Sequence, residues 1–331
     1  MREVAAWSAV GCDDLPVIGG PNAWVGPGVI DAHVHLAFGA PGDVVAGGVT
    51  AVRDLGAPPE RAAQWRASAT PGAASPRVRV AGPIVTARGG YPSRSWGRDG
   101  FAAFVDDAQA ARDVVRRLSE HVDVIKVALE PNGGPVPDAD TVAAVVAAAH
   151  EVGLGVTAHA LTVDTVRSAL RAGVDELAHV PTEPRPADVI ASIVGADVFV
   201  VSTIQTFVDA GRRSGGGAIA NARALCQAGA RMCYGSDLGN AGTRPGVDPR
   251  ELQRLADCGL GVIGALRAAT TVAATAHGLH GIPRELRVGA VADVVVLPGD
   301  PVSDVEQWLQ PIAVVVGGRV VAGTALGTVR P

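Results

Sequence analysis

Six residues carry the chemistry this sequence is able to do: His33, His35, Lys126, His159, His179 and Asp237. The first two sit in the run Val29-Ile30-Asp31-Ala32-His33-Val34-His35-Leu36, which reads as a strand entered through the turn Gly26-Pro27-Gly28. Side chains alternate along a strand, so both imidazoles share one face while Ala32, Val34 and Leu36 take the other. Two neutral imidazoles on one face are half of a site for zinc or a similar divalent ion, and a carboxylate or further imidazole completes it while leaving a position for water. His159, His179 and Asp237 each end a β-type run, in Val156-Thr157-Ala158-His159, Glu176-Leu177-Ala178-His179 and Tyr234-Gly235-Ser236-Asp237. Lys126 lies inside Val124-Ile125-Lys126-Val127 and is the sole lysine of the chain, which makes an incidental strand lysine a poor explanation.

Bringing side chains so far apart in sequence to one place requires a fold that gathers strand ends on one face. From residue 29 the chain alternates β-type and helical segments, with strands expected at 29–36, 48–55, 78–86, 122–129, 155–160, 174–180, 197–204 and 230–238. Helices are expected at 101–120, 138–152, 163–172 and 219–228, the last two closed by Gly173 and Gly229, and further helices at 249–258 and 260–277. Eight βα units with apolar outward faces predict the α/β fold class and a closed (β/α)8 TIM barrel over residues 29–280. Active sites of such barrels lie at the C-terminal ends of the strands, where the ligand candidates fall. A short β-type run at 3–10 precedes the barrel. A strand at 289–297 and a hairpin around Gly317-Gly318 follow it.

Together, the Gly-Pro-Gly turn, the His-x-His strand, and then Lys, His, His and Asp in that order resemble the binuclear branch of the amidohydrolase superfamily. The resemblance spans about residues 26–322. The segments 48–56 and 172–179 look closest to its prolidase-like and imidazolonepropionase-related members. It implies two divalent metal ions, with zinc expected, bridged by a carboxylated Lys126. His33, His35 and Asp237 would hold the more buried ion and His159 and His179 the other. It further implies cleavage of an amide or peptide C–N bond by a metal-bridging hydroxide, with Asp237 as catalytic proton shuttle; no other acid ends an inward-facing strand in this reading. Expected substrates are a dipeptide, an N-acyl amino acid or a related small molecule, with hydrolysis of a cyclic amide or lactone as the alternative. Residues 1–28 and 281–331 correspond to the superfamily's small β domain, here shortened at its N-terminus.

Two other functional classes are weighed against this one. A mononuclear deaminase of the same superfamily often carries a His-x-x-Glu acid, whereas His159 is followed by Ala160-Leu161-Thr162. A silent scaffold barrel would be expected to have lost at least one ligand. The substrate loop Ala87-Arg88-Gly89-Gly90-Tyr91-Pro92 matches a Gly-Gly-His loop of the prolidase-like members with tyrosine in place of histidine. Tyr91 is placed there either to donate a hydrogen bond to a substrate oxygen or to pack. Arg88 and Arg244, with Arg94 and Arg98, are the cations on mouth loops that a substrate carboxylate would need. The remaining histidines, His121, His150, His277 and His280, read as structural or solvated.

Composition narrows the field further. In 331 residues, 48% are hydrophobic, 18% charged and 4% aromatic, which is a well-buried globular chain long enough for one barrel. A net charge of −5 with scattered arginines lacks the basic stripe of nucleic-acid binding. No run approaches about 18 uninterrupted apolar residues, and Met1-Arg2-Glu3 opens no signal pattern, so no membrane and a cytoplasmic location are expected. Cys12, Cys226, Cys233 and Cys258 form no Cys-x-x-Cys pair and read as reduced thiols. The expected partner is a small molecule or short peptide, and a homo-oligomer is left open.

Overall fold

The computed structural model describes residues 1, 17–68, 70, 73–278 and 285–324. The run expected at 3–10, Cys12 and His280 lie outside the described residues. The chain enters through β1 (Trp24–Pro27) and β2 (Val29–Val34), followed by α1 (Pro41–Ala46), β3 (Val49–Asp54), α2 (Pro59–Ser68) and β4 (Arg77–Val80). Next come β5 (Ile84–Thr86), β6 (Ala102–Phe104), α3 (Ala108–Ser119), β7 (Ile125–Ala128), α4 (Ala139–Glu151), β8 (Val156–His159) and α5 (Val163–Ala172). Then follow β9 (Glu176–Leu177), α6 (Ala187–Gly195), β10 (Phe199–Val201), α7 (Ile204–Ala210), α8 (Arg212–Gln227) and β11 (Arg231–Cys233).

Parallel pairing runs through β2-β3-β4 and through β6-β5-β7-β8-β9-β10-β11. Backbone bonds join the two sheets at both edges. Asp123 N donates to Val80 O at 2.8 Å on one side, and on the other Ala32 N donates to Tyr234 O at 3.0 Å and Asp237 N to His33 O at 2.8 Å. With β4 and β5 as two halves of one strand, eight strands close the barrel. Closure sets the end of the eighth strand beside the first, which places Asp237 next to His33 and His35.

Three expectations are corrected. The strand expected at 78–86 is interrupted at Ala81-Gly82-Pro83, where Gly82 takes a φ of 62° and Pro83 has no N–H to donate. The helix expected at 101–120 begins only after Asp107, whose side chain caps it by accepting from Ala110 N at 2.8 Å; Ala102–Phe104 instead pair with β5. The helix expected at 219–228 starts at Arg212, and α6 and α7 lie in segments that were not assigned to helix.

The helical run Pro249–Ala276, comprising α9 (Pro249–Leu255), α10 (Gly261–Arg267) and α11 (Ala273–Ala276), is long and apolar enough to cross a membrane. It is interrupted at Gly259, with φ 122°, and its end is buried on the barrel, where Ala273 and Ala274 pack on Ile30 and Ala51. Finally, β12 (Val294–Leu297), β13 (Ala313–Val316) and β14 (Arg319–Ala322) form an antiparallel sheet with β1. Asp293 ties this sheet to the barrel. Its fully buried carboxylate accepts from Arg77 Nε at 2.7 Å and from Gly317 N at 2.7 Å.

Candidate metal centre

At the C-terminal ends of the strands a cavity of about 280 Å³ is lined by all six ligand candidates and by Tyr91. β2 delivers His33 and carries the chain on to His35, β7 delivers Lys126, β8 ends at His159, and His179 and Asp237 follow β9 and β11. Asp237 Oδ1 lies 3.4 Å from both His33 Nε2 and His35 Nε2, and one ligand atom from each of these residues falls within 4.8 Å of the others. His33 Nδ1 is 2.9 Å from Ala178 O, so the proton sits on Nδ1, donated to that carbonyl, and the Nε2 lone pair points inward. His179 is held through Nδ1 at 2.9 Å from Thr203 Oγ1, which leaves its Nε2 free. A Cβ at position 56 would stand 3.2 Å from His35 Nδ1, so Gly56 makes room for that ring.

These atoms suit a cation. His33 Nε2 and Asp237 Oδ1 are buried without a hydrogen-bond partner and stand 3.4 Å apart, with His35 Nε2 3.4 Å from the same oxygen. Burial first, and Lys126 second, push His33 well below its ordinary range; burial likewise depresses His159 and His179, so the imidazoles are neutral lone-pair donors. Asp237 holds a φ of 53°, a strained conformation for a residue with a side chain, and bonds to its neighbours fix it there: its carbonyl accepts from Asn240 Nδ2 at 3.0 Å.

A model of the amidohydrolase family matches residues 24–321. The chain belongs to the amidohydrolase family. Its enzymes are hydrolases of C–N bonds that typically use metal ions, and the His33–His35–Asp237 group gives this amidohydrolase a place for one. A Xaa-Pro dipeptidase with bound methionine is similar at a TM-score of 0.81 and 20% identity, over 95% of this chain and 91% of that one. A prolidase complexed with N-methylphosphonate-L-proline is similar at 0.74 and 25%, over 90% and 87%. Phenylurea hydrolase B is similar at 0.71 and 22%, over 93% and 87%. No curated protein matches the chain.

Within the amidohydrolase barrel Lys126 is buried, and burial lowers its ammonium to about 7 against the pull of the Asp237 carboxylate. Tyr91 stacks on His159 with ring centres 5.0 Å apart, and its hydroxyl accepts from Trp96 Nε1 at 2.9 Å, leaving its own proton to donate. Burial and Asp237 push the Tyr91 phenol upward, so it keeps that proton. Arg88 and Arg244 do not line the cavity. Arg88 turns out to Asp106 at 2.8 Å.

A second acid reaches the cavity without ending a strand. Glu130 follows β7 and lines the cavity, with Oε2 3.3 Å from His159 Nε2 and Oε1 accepting from Asn132 N at 2.9 Å. Burial raises this carboxyl, but the bonds from His159 and Asn132 outweigh it and hold the group below its ordinary value. An ionised Glu130 draws the proton of His159 to Nε2, which frees the Nδ1 lone pair. The available signal was an acid closing the apolar run before Pro131-Asn132-Gly133-Gly134, at a strand end.

Proposed function

We propose that this chain hydrolyses the amide or peptide C–N bond of a small molecule or short peptide with two divalent ions, zinc in our assignment, held by His33, His35, His159, His179, Asp237 and a carboxylated Lys126. The observation that carries it is the convergence of His33 Nε2, His35 Nε2 and Asp237 Oδ1, in a cavity that His159, His179 and Lys126 also line. The prolidase and phenylurea hydrolase likenesses support hydrolysis of this bond type. Bound there, the ions supply a nucleophilic water near neutral pH and polarise the carbonyl. The residues do the rest. Asp237 offers Oδ1 to the His33–His35 side and keeps Oδ2 free, 3.9 Å from His179 Nδ1, to take a proton from the attacking water and return it to the departing nitrogen. Tyr91 donates its hydroxyl proton as a hydrogen bond to the oxygen on which charge develops.

Metal analysis of zinc-reconstituted protein tests the assignment, with about two equivalents expected, since one ion needs only three or four ligands. Lys126→Ala should lose the second ion and the activity, with partial recovery in short carboxylic acids, and a carbamate carbon signal should vanish from the NMR spectrum of ¹³CO₂-equilibrated protein. A stoichiometry at or below one overturns the binuclear reading. It would favour the mononuclear deaminase, for which Glu130 supplies the carboxylic acid that the sequence after His159 lacks.

A further inference from the structure

The charges around this cavity say which substrates it takes. We propose that the site selects uncharged amides carrying an aryl or bulky apolar group and rejects those with a free carboxylate, such as dipeptides and N-acyl amino acids. The proposal rests on the amide-hydrolase reading above and narrows it.

Among the described residues no guanidinium lines the cavity. Arg88 is paired outward with Asp106 and its side chain is 69% exposed. Arg185 is not in the lining; its Nη2 donates to Leu161 O and its Nη1 lies 3.7 Å from Glu183, while its Nε and Nη1 make no hydrogen bond. Arg250 is held by Asp248 at 2.7 Å and by Asp209 at 3.2 Å. The single lining cation is Lys126, which carboxylation turns into an anion. Beyond the six ligand candidates the lining is mostly apolar, with Thr206 donating its hydroxyl to Ser236 O at 2.8 Å and Asn240 its amide to Asp237 O at 3.0 Å. Tyr91, Trp96 and Phe207 supply aromatic faces, Ile84 and Leu161 aliphatic ones, and Glu130 a carboxyl group.

The aromatic wall is built, not incidental. Trp96 sits 4.8 Å from His35 and 6.0 Å from Tyr91 between ring centres, Phe207 sits 5.5 Å from His179, and Phe38 and Phe101 back Trp96 at 5.7 and 5.6 Å. The loop carrying Glu130 is locked on the loop carrying Tyr91, since a Cβ at Gly133 would stand 2.6 Å from Tyr91 Cβ. A substrate carboxylate seated against this wall, away from the ligand cluster, loses water and finds no guanidinium fork. An aryl or alkyl amide buries its apolar group on the aromatic faces and presents only the carbonyl and N–H that the reaction uses.

The test compares matched pairs that differ by the carboxylate alone, such as N-acetylphenylalanine against N-(2-phenylethyl)acetamide, on zinc-loaded full-length protein. The neutral member is expected to lead in kcat/KM by roughly ten- to a hundredfold, the penalty of an unpartnered buried polar group. Equal or reversed ratios overturn the proposal. Calorimetric binding of both members is measured on the same preparation. If neither is cleaved, the hydrolytic reading fails, but tighter binding of the neutral member still supports the selection and tighter binding of the carboxylate defeats it. Ala210→Arg, at an exposed position on the rim, adds the missing cation and should narrow the gap by a few-fold, with an unchanged melting temperature showing that the variant folds.

Discussion

The mouth and the floor of the barrel are built by the same strands and treat buried polarity in opposite ways. β8 carries His159 at the mouth and Thr157 beneath it; β9 begins at Glu176 and leads on to His179. At the floor the charges close on one another. Arg53 donates from Nε to Ala32 O at 3.0 Å and pairs with Glu176 through Nη2, Thr157 Oγ1 donates to the same carboxylate at 2.6 Å, and His277 Nδ1 lies 3.6 Å from it. At the mouth His33 Nε2 and Asp237 Oδ1 face each other at 3.4 Å without a hydrogen-bond partner, and His35 Nε2 stands 3.4 Å from the same oxygen. The floor also opens on the larger cavity, about 640 Å³, whose three lining arginines each pair with an acid, Arg53 with Glu176, Arg79 with Asp123 and Arg231 with Asp197. Cavity size therefore does not mark the functional end, and neither does a lone unpartnered atom, since His277 Nε2 and Arg231 Nε lack hydrogen bonds at the floor; the facing pair His33 Nε2 and Asp237 Oδ1 does. A buried polar atom without a partner costs about 1–3 kcal/mol, and here the fold keeps two together where one cation satisfies both.

The largest expected effect comes from the mouth. Asp237→Asn should lower turnover by on the order of 10²–10⁴ while the melting temperature stays close to the parent's, because the amide keeps the shape and loses the proton-accepting oxygen. Metal content is read on the same preparation. Near-normal turnover with both ions retained would remove Asp237 from the proton path and make Tyr91 the next residue to test.

The floor should respond in the other coin. Arg53→Ala leaves Glu176 buried without its cation, and denaturant unfolding should show a loss of about 3–5 kcal/mol. Metal stoichiometry in the surviving folded protein should be unchanged. If instead Arg53→Ala releases metal without destabilising the fold, the two ends are not separable and the comparison fails.

The same contrast explains what was legible in the sequence. His33, His35, His159, His179 and Asp237 announce themselves because alternation and strand-end position are local features, and barrel closure alone then places them together. Lys126 was legible for the same reason. Glu130 was not, because it stands two residues past β7 and reaches the cavity through a turn rather than along a strand. His277 was grouped with solvated or structural histidines; it is structural, buried against Glu176, while His150 is the exposed partner of Asp175 at 2.9 Å. Ala102–Phe104 escaped notice because three residues hold no periodicity, and their pairing with β5 is a tertiary fact. Arg88 and Arg244 were placed at the mouth by loop position alone, and a loop position does not say where a flexible side chain points.

Glu251 offers a third kind of buried acid and the smallest of the expected effects. It is 1% exposed and accepts from Ile204 N at 3.0 Å and Gln205 N at 2.6 Å, holding the start of α7, the helix that brings Phe207 to the cavity. Its partners are two backbone amides and the Ser202 hydroxyl, so it is neither closed by a cation, as Glu176 is, nor left open, as Asp237 is. Burial raises it from 4.5 to about 7, which means that folding favours its protonated form. The stability it contributes is complete below about pH 4.5 and is lost as pH rises through about 7, with a slope of at most about 1.4 kcal/mol per pH unit. Glu251→Gln keeps one acceptor for the α7 amides and removes the titration. Urea midpoints of parent and variant, measured from pH 5 to pH 8 at fixed zinc concentration, should therefore converge as pH rises, the parent losing stability faster. Parallel curves would show that Glu251 does not titrate in this window, and that two backbone amides with the Ser202 hydroxyl suffice to keep a buried carboxylate charged.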